Sequence, residues 1–96
     1  MNIKVAFGMA LKKARNAKNL TQEDFGIVSS RTYVSTIERG IKSITLDKLE
    51  EFSQVLNIHP LTLLTLAYLQ DYPLKNEELL NLIKSELASV SITSLN

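Results

Sequence analysis

Apolar residues recur along most of the chain with the 3.6-residue period of a helix, interrupted by residues that cap or break helices. Ile3, Ala6, Phe7, Ala10, Leu11 and Ala14 fall on one stripe, which predicts a first helix over 3–18 with its lysines outside that stripe. Asn19, a residue that tolerates the left-handed conformation, ends it. Thr21-Gln22-Glu23-Asp24 fits a capping box: the Thr21 hydroxyl accepts from the third helical N–H, and Asp24, a shorter stand-in for Glu, reaches back. A short second helix over 22–28 follows. Gly26 within it costs about 1 kcal/mol of helix propensity relative to Ala, which makes sense where another helix crosses closely.

Ser29 and Ser30 break the pattern, and Ser30 is a good N-cap for a third helix over 31–39 with Val34 and Ile37 facing inward and Gly40 ending it. Thr45 caps a fourth helix whose inward face is Leu49, Phe52, Val55 and Leu56, with Asn57 as its stop. His59-Pro60 opens a fifth, Pro standing at the first helical position where its missing N–H costs nothing, and Tyr72-Pro73 breaks it. A sixth helix over 74–88 carries Leu79, Leu82, Ile83 and Leu87 on one face. The tail SVSITSLN is too short and serine-rich to assign. The chain reads as all-α.

Ninety-six residues make one domain, and 45% hydrophobic with 22% charged residues is a globular balance. With no Cys and one His, disulfide, thiol and zinc chemistry are close to excluded, and no cofactor is expected. His59 reads as a helix-start residue rather than a catalyst, Tyr68 and Tyr72 as core or interface, and an enzyme is not expected. The cationic start could pass for a transit peptide, but its apolar residues run straight into the next segment's pattern and Lys4 interrupts any signal-peptide core. No apolar stretch approaches the roughly 18 residues of a membrane span, so a cytoplasmic protein is expected, with no membrane partner.

The net charge of +1 hides a division. Residues 1–42 hold eight Lys and Arg against three acids, and residues 43–96 hold three against seven, so the N-terminal part is suited to a polyanion.

Two short helices joined by a two-serine turn and preceded by a basic amphipathic helix are the parts of a helix-turn-helix. The run from Arg15 to Gly40, with LTQED at 20–24 and SRTYVSTIERG at 30–40, resembles the phage-repressor and Cro family of DNA-binding domains, the XRE family. RTYVSTIERG is most similar to its restriction-modification controller proteins, and the resemblance covers about 5–64. It implies a compact five-helix, repressor-like domain, here with an additional C-terminal helix. From LTQE to IERG the chain is two residues shorter than the usual family pattern and lacks the turn glycine, so the second helix is expected to end early or to cross the third at an altered angle.

The third helix offers Arg31, Thr32 and Tyr33 in its first turn, then Ser35 and Thr36, all polar where a core helix would be apolar. In a major groove Arg pairs with guanine O6 and N7, and Thr hydrogen-bonds a base or packs on the thymine methyl. The competing reading of Arg31, a solvated surface charge, is the weaker one, whereas Ser35 and Thr36 suit a close helix contact equally well. Gln22 stands at the first turn of the second helix, where free N–H groups favour a phosphate, and the resemblance makes it the family's phosphate-clamping glutamine. The resemblance likewise lays Arg39, Lys42 and Ser43 along the DNA backbone. It pairs Arg15 with Glu38 in a partly buried salt bridge that ties the first helix to the end of the third.

Leu61, Leu63, Leu64, Leu66 and Leu69 make the fifth helix apolar round much of its circumference. Such a helix must be covered on more than one side, which predicts a homodimer with Leu63, Leu66 and Leu69 at its interface, or else cover by the sixth helix. Residues 1–72 then form the DNA-binding domain and 73–96 a dimerisation extension. The expected function is sequence-specific binding of double-stranded DNA at an inverted-repeat operator, as a transcriptional repressor. The alternative is an antitoxin-type module whose main partner is another protein.

Overall fold

A computed structural model describes residues 1–70 and 75–94. Five α-helices and one 3-10 turn carry them: α1 (Ile3–Ala17), the 3-10 turn (Gln22–Phe25), α2 (Arg31–Glu38), α3 (Leu46–Leu56), α4 (Pro60–Tyr68) and α5 (Asn76–Ser94). Among the described residues there is no strand, and no helix is long and apolar enough to cross a membrane. The break expected at Tyr72-Pro73 lies outside the described residues.

Each start from α1 to α4 is fixed by a side chain that accepts from a free backbone N–H, the role of an N-cap. Asn2 accepts from Val5, Thr21 from Asp24, Ser30 from Tyr33 and Thr45 from Lys48, at 3.0–3.2 Å. His59 caps α4 through Nδ1, which accepts from the Leu61 N–H at 3.0 Å with Pro60 at the first helical position. The stops follow the expected residues: Asn19, Gly40 and Asn57 have φ of 57°, 71° and 56°, the left-handed region that Asn and Gly enter at least cost.

The second helix expected over 22–28 is a single 3-10 turn. The Thr21 N–H donates to Asp24 Oδ2 and the Asp24 N–H to Thr21 Oγ1, so the capping box is formed. After Phe25 the chain coils on through N–H donations from Gly26 to the Glu23 carbonyl and from Val28 to that of Phe25. The shortened segment thus drops the regular helix and keeps the turn. A Cβ on Gly26 would meet only its own turn, 3.1 Å from the Glu23 carbonyl oxygen, so no helix crosses there. The close crossing is at Gly8 on α1, where a Cβ would fall 2.5 and 2.6 Å from the carbonyl oxygens of Ile37 and Glu38 at the end of α2.

The core is one cluster in which α1 lies centrally, packed on α2 and along α4. Ala10 and Ala14 give α1 a shallow inner face, and Leu11, Phe25, Val34, Ile37, Phe52, Leu56 and Leu63 close over it. Phe25 meets Phe52 edge-on at 5.0 Å, which seats the 3-10 turn on α3. Each such buried side chain contributes about 1.5–3 kcal/mol. Ile3, expected on the inward stripe, is half-exposed at the first residue of α1, where it lines a surface groove beside Phe7 and Leu49.

Of the face expected on the last helix, only Leu79 is buried; Leu82, Ile83 and Leu87 are open. That helix runs on to Ser94, through most of the tail left unassigned, and every residue from Leu80 to Ser91 is exposed. The radius of gyration is accordingly 14.8 Å, against about 12.5 Å for a compact chain of this length.

Candidate nucleic-acid interface

α2 forms because Ser30 caps it and because Val34 and Ile37, one turn apart, anchor it in the core. Its outer side presents what the core does not need. Gln22, Arg31, Thr32, Ser35 and Arg39 line one concave, largely polar surface. Arg31 is exposed and faces the equally exposed Glu23 at 3.7 Å, a solvent-screened pair worth little and easily exchanged for another anion. Arg39 leans back along α2, its Nε donating to the Ser35 carbonyl at 3.4 Å.

The other four expected site residues lie elsewhere. Tyr33 is half-buried and turned inward, its ring edge-on to Phe52 at 6.1 Å, because its position in the first turn shares the core side with Val34 and Ile37. The Thr36 hydroxyl donates to the Thr32 carbonyl at 2.8 Å, one turn back along its own helix. Lys42 and Ser43 line a separate, mostly apolar groove with Phe7, Leu46 and Leu49. Lys42 nonetheless reaches over the Tyr33 ring, as Lys48 does, each ammonium 5.8 Å from the centroid. The Lys48 ammonium also donates to the Val28 carbonyl and pairs with Glu51 at 3.1 Å, tying the turn before α2 to α3. A lysine on a helix surface carries no sequence signal for that role.

Glu38 gathers three side-chain donors. Arg15 Nε lies 2.6 Å from Oε2 and Nη2 3.0 Å from Oε1, while Gln22 Nε2 donates to Oε1 at 3.1 Å. Arg15 Nη1 donates to the Leu20 carbonyl at 2.9 Å, so one guanidinium joins α1, the chain before the 3-10 turn and the end of α2. The Arg15 pKa is raised by its hydrogen bond with Glu38 and by that carboxylate's charge, against the lowering effect of burial. The N-terminus of the 3-10 turn is less open to an anion than a full helix would be. The turn has four residues and little dipole, and the Asp24 carboxylate already takes the Thr21 N–H. What Gln22 presents is its side chain, oriented by Glu38.

The apolar residues expected at an interface also divide. Leu63 is fully buried against α1 and belongs to the core, which removes it from any surface. Leu66 and Leu69 line a groove with Leu61 of α4 and Leu80 of α5, only partly covered from within the chain.

A capped tight turn and a following helix, the first seated on the core by one phenylalanine and the second turning a polar face outward, define a helix-turn-helix unit on an all-helical support. A family model for the helix-turn-helix matches residues 11–63. Over 66 residues the chain is 38% identical to control protein C.BamHI of Bacillus amyloliquefaciens, covering 66% of this chain and 82% of that one. Over 60 residues it is 45% identical to control protein C.MunI of Mycoplasma sp, covering 59% and 81%. Among solved structures, the restriction-modification controller protein C.AhdI from Aeromonas hydrophila superimposes with a TM-score of 0.59 at 34% identity, covering 62% of this chain and 92% of that one. The chain therefore belongs to the helix-turn-helix family of DNA-binding regulators, in its controller-protein branch, and not to a family of enzymes.

Proposed function

We propose that the protein is a homodimeric transcriptional repressor of the cytoplasm that binds an inverted-repeat operator, with α2 of each subunit entering a major groove. Residues 1–72 are the DNA-binding unit and 73–96 the dimerisation extension. The observation that carries this reading is the polar concavity of Gln22, Arg31, Thr32, Ser35 and Arg39, since groups able to address base edges and phosphates converge there on the basic part of the chain. Arg31 and Thr32, exposed in the first turn of α2, read bases. Gln22 and Arg39 hold phosphate on either side, and Lys42 and Ser43 extend the backbone contact beyond the end of α2. Tyr33 acts from behind, as the platform over which Lys42 lies. Leu66 and Leu69 contribute the apolar patch on α4 that a partner subunit covers.

Footprinting of sites selected from random duplex tests the reading. A two-fold dimer predicts a palindrome with half-site centres about 34 Å apart, or a multiple of that, protected on one face of the duplex. A single asymmetric site occupied by one monomer, or a chain that engages DNA only with a second protein present, would overturn it.

A further inference from the structure

We propose that α5 pairs with α5 of a second copy along a seam of Leu80, Ile83, Leu87 and Val90. This rests on the homodimer reading above and gives that dimer a second contact, on a helix beyond residue 63 where the family match ends. The four residues are spaced 3, 4 and 3 apart, the 3.5-residue repeat that keeps a seam facing a partner helix through two heptads. Leu79, beside the seam, already docks α5 on α4, whereas the seam residues are 52%, 39%, 61% and 67% exposed. Lys84 and Glu86 flank the row and Asn81, Ser85 and Ser89 lie opposite it, while Leu82, also exposed, stands off the row on the Glu86 side.

The occupant that fits is a second copy. A row with this spacing packs best against a helix with the same spacing. The inward rows of α1 and α3 are already spent in the core. Area agrees. A half-exposed large apolar side chain leaves on the order of 100 Å² open, so the four, with Leu61 and Tyr68 of α4 beside them, present roughly 600 Å² toward the about 800 Å² per partner of a stable interface. Two heptads alone are marginal. The seam therefore acts with the α4 patch, with which it is continuous, since Leu80 lines the same groove as Leu66 and Leu69.

The test is sedimentation equilibrium of the full chain, with circular dichroism as the check on folding. The wild type should be a dimer. Leu87→Glu should weaken dimerisation about 100-fold or more at unchanged helical content, because it sets two like charges into a desolvated row, while Ser85→Glu on the opposite side should change nothing. Because the chain has no cysteine, Ile83→Cys with Leu87→Cys gives a second measurement that does not depend on the stability of a charged variant: oxidation should crosslink two chains whether the helices run parallel or antiparallel. A folded Leu87→Glu variant as dimeric as wild type, or no crosslink from the cysteine variant, overturns the seam and leaves the homodimer standing. A wild type that is monomeric both free and on its operator overturns both.

Discussion

Gly8 and Glu38 meet backbone to backbone: a Cβ on Gly8 would stand 2.6 Å from the Glu38 carbonyl oxygen and 2.9 Å from its carbonyl carbon. At an exposed helix position Gly→Ala gains about 1 kcal/mol of propensity. Here the sign reverses, because the obstacle is backbone and cannot rotate away. Gly8→Ala should destabilise the fold by about 1–3 kcal/mol net, read as a lower urea midpoint at unchanged slope. DNA affinity should fall with it, since relief of the clash moves the end of α2. A more stable Gly8→Ala variant would refute the close crossing.

Glu38 serves geometry more than net stability. Its removal in Glu38→Ala strands the Arg15 guanidinium, whose side chain is only 12% exposed, at a cost of about 3 kcal/mol. Replacing both partners by apolar residues, Arg15→Met with Glu38→Leu, should recover most of that loss. The double variant should fold and still bind DNA poorly, because Gln22 then has no carboxylate to orient it. Thermal denaturation and operator titration of the three proteins separate the two effects. A double variant with wild-type affinity would show that Gln22 needs no such support.

Most of the architecture was legible because local chemistry and tertiary packing agree in it. Ser30, Thr45 and Pro60 start helices where expected, Asn19, Gly40 and Asn57 stop them, and Val34, Ile37, Phe52 and Leu56 are buried as their spacing requires. The departures have a common cause. Gly26 and Gly8 look alike in one dimension, and only the packing decides which one lies against a neighbouring helix. Tyr33 reads as polar by its hydroxyl and packs by its ring. Leu63 and Leu66 differ by a single turn of α4, and that turn separates the core from the groove. The two missing residues between LTQE and IERG did announce a shortened second element, though not that it would shrink to one 3-10 turn.

Asn57 closes α3 at φ 56° and ψ 45° and is exposed, so its conformation rather than its contacts explains its presence. Asn57→Ala should cost about 1–2 kcal/mol, a fall in Tm of roughly 4–16 °C, because a Cβ without a local polar partner is disfavoured in that region. Asn57→Gly should be neutral or slightly stabilising. Equal melting temperatures for the alanine and glycine variants would mean that backbone strain is not what selects the residue.

Arg31, Lys42 and Tyr33 offer a three-way separation of reading, anchoring and support. Arg31→Ala should cost about 1–3 kcal/mol on the operator and relax preference at one base pair in each half-site, since a base contact carries sequence information. Lys42→Ala should weaken specific and non-specific DNA alike and reduce the salt slope by about one for each phosphate that is no longer neutralised. Tyr33→Phe keeps the ring that packs on Phe52 and lies beneath both ammonium groups, so stability and affinity should stay near wild type. Tyr33→Ala removes ring and platform together and should cost about 3 kcal/mol or more of stability, with DNA binding reduced in the manner of Lys42→Ala rather than of Arg31→Ala. Urea denaturation alongside titrations at two salt concentrations distinguishes the outcomes. If Tyr33→Phe instead lost discrimination at one base pair while folding normally, its hydroxyl would be a reading group and α2 would dock on the duplex with its inner side turned further toward the groove.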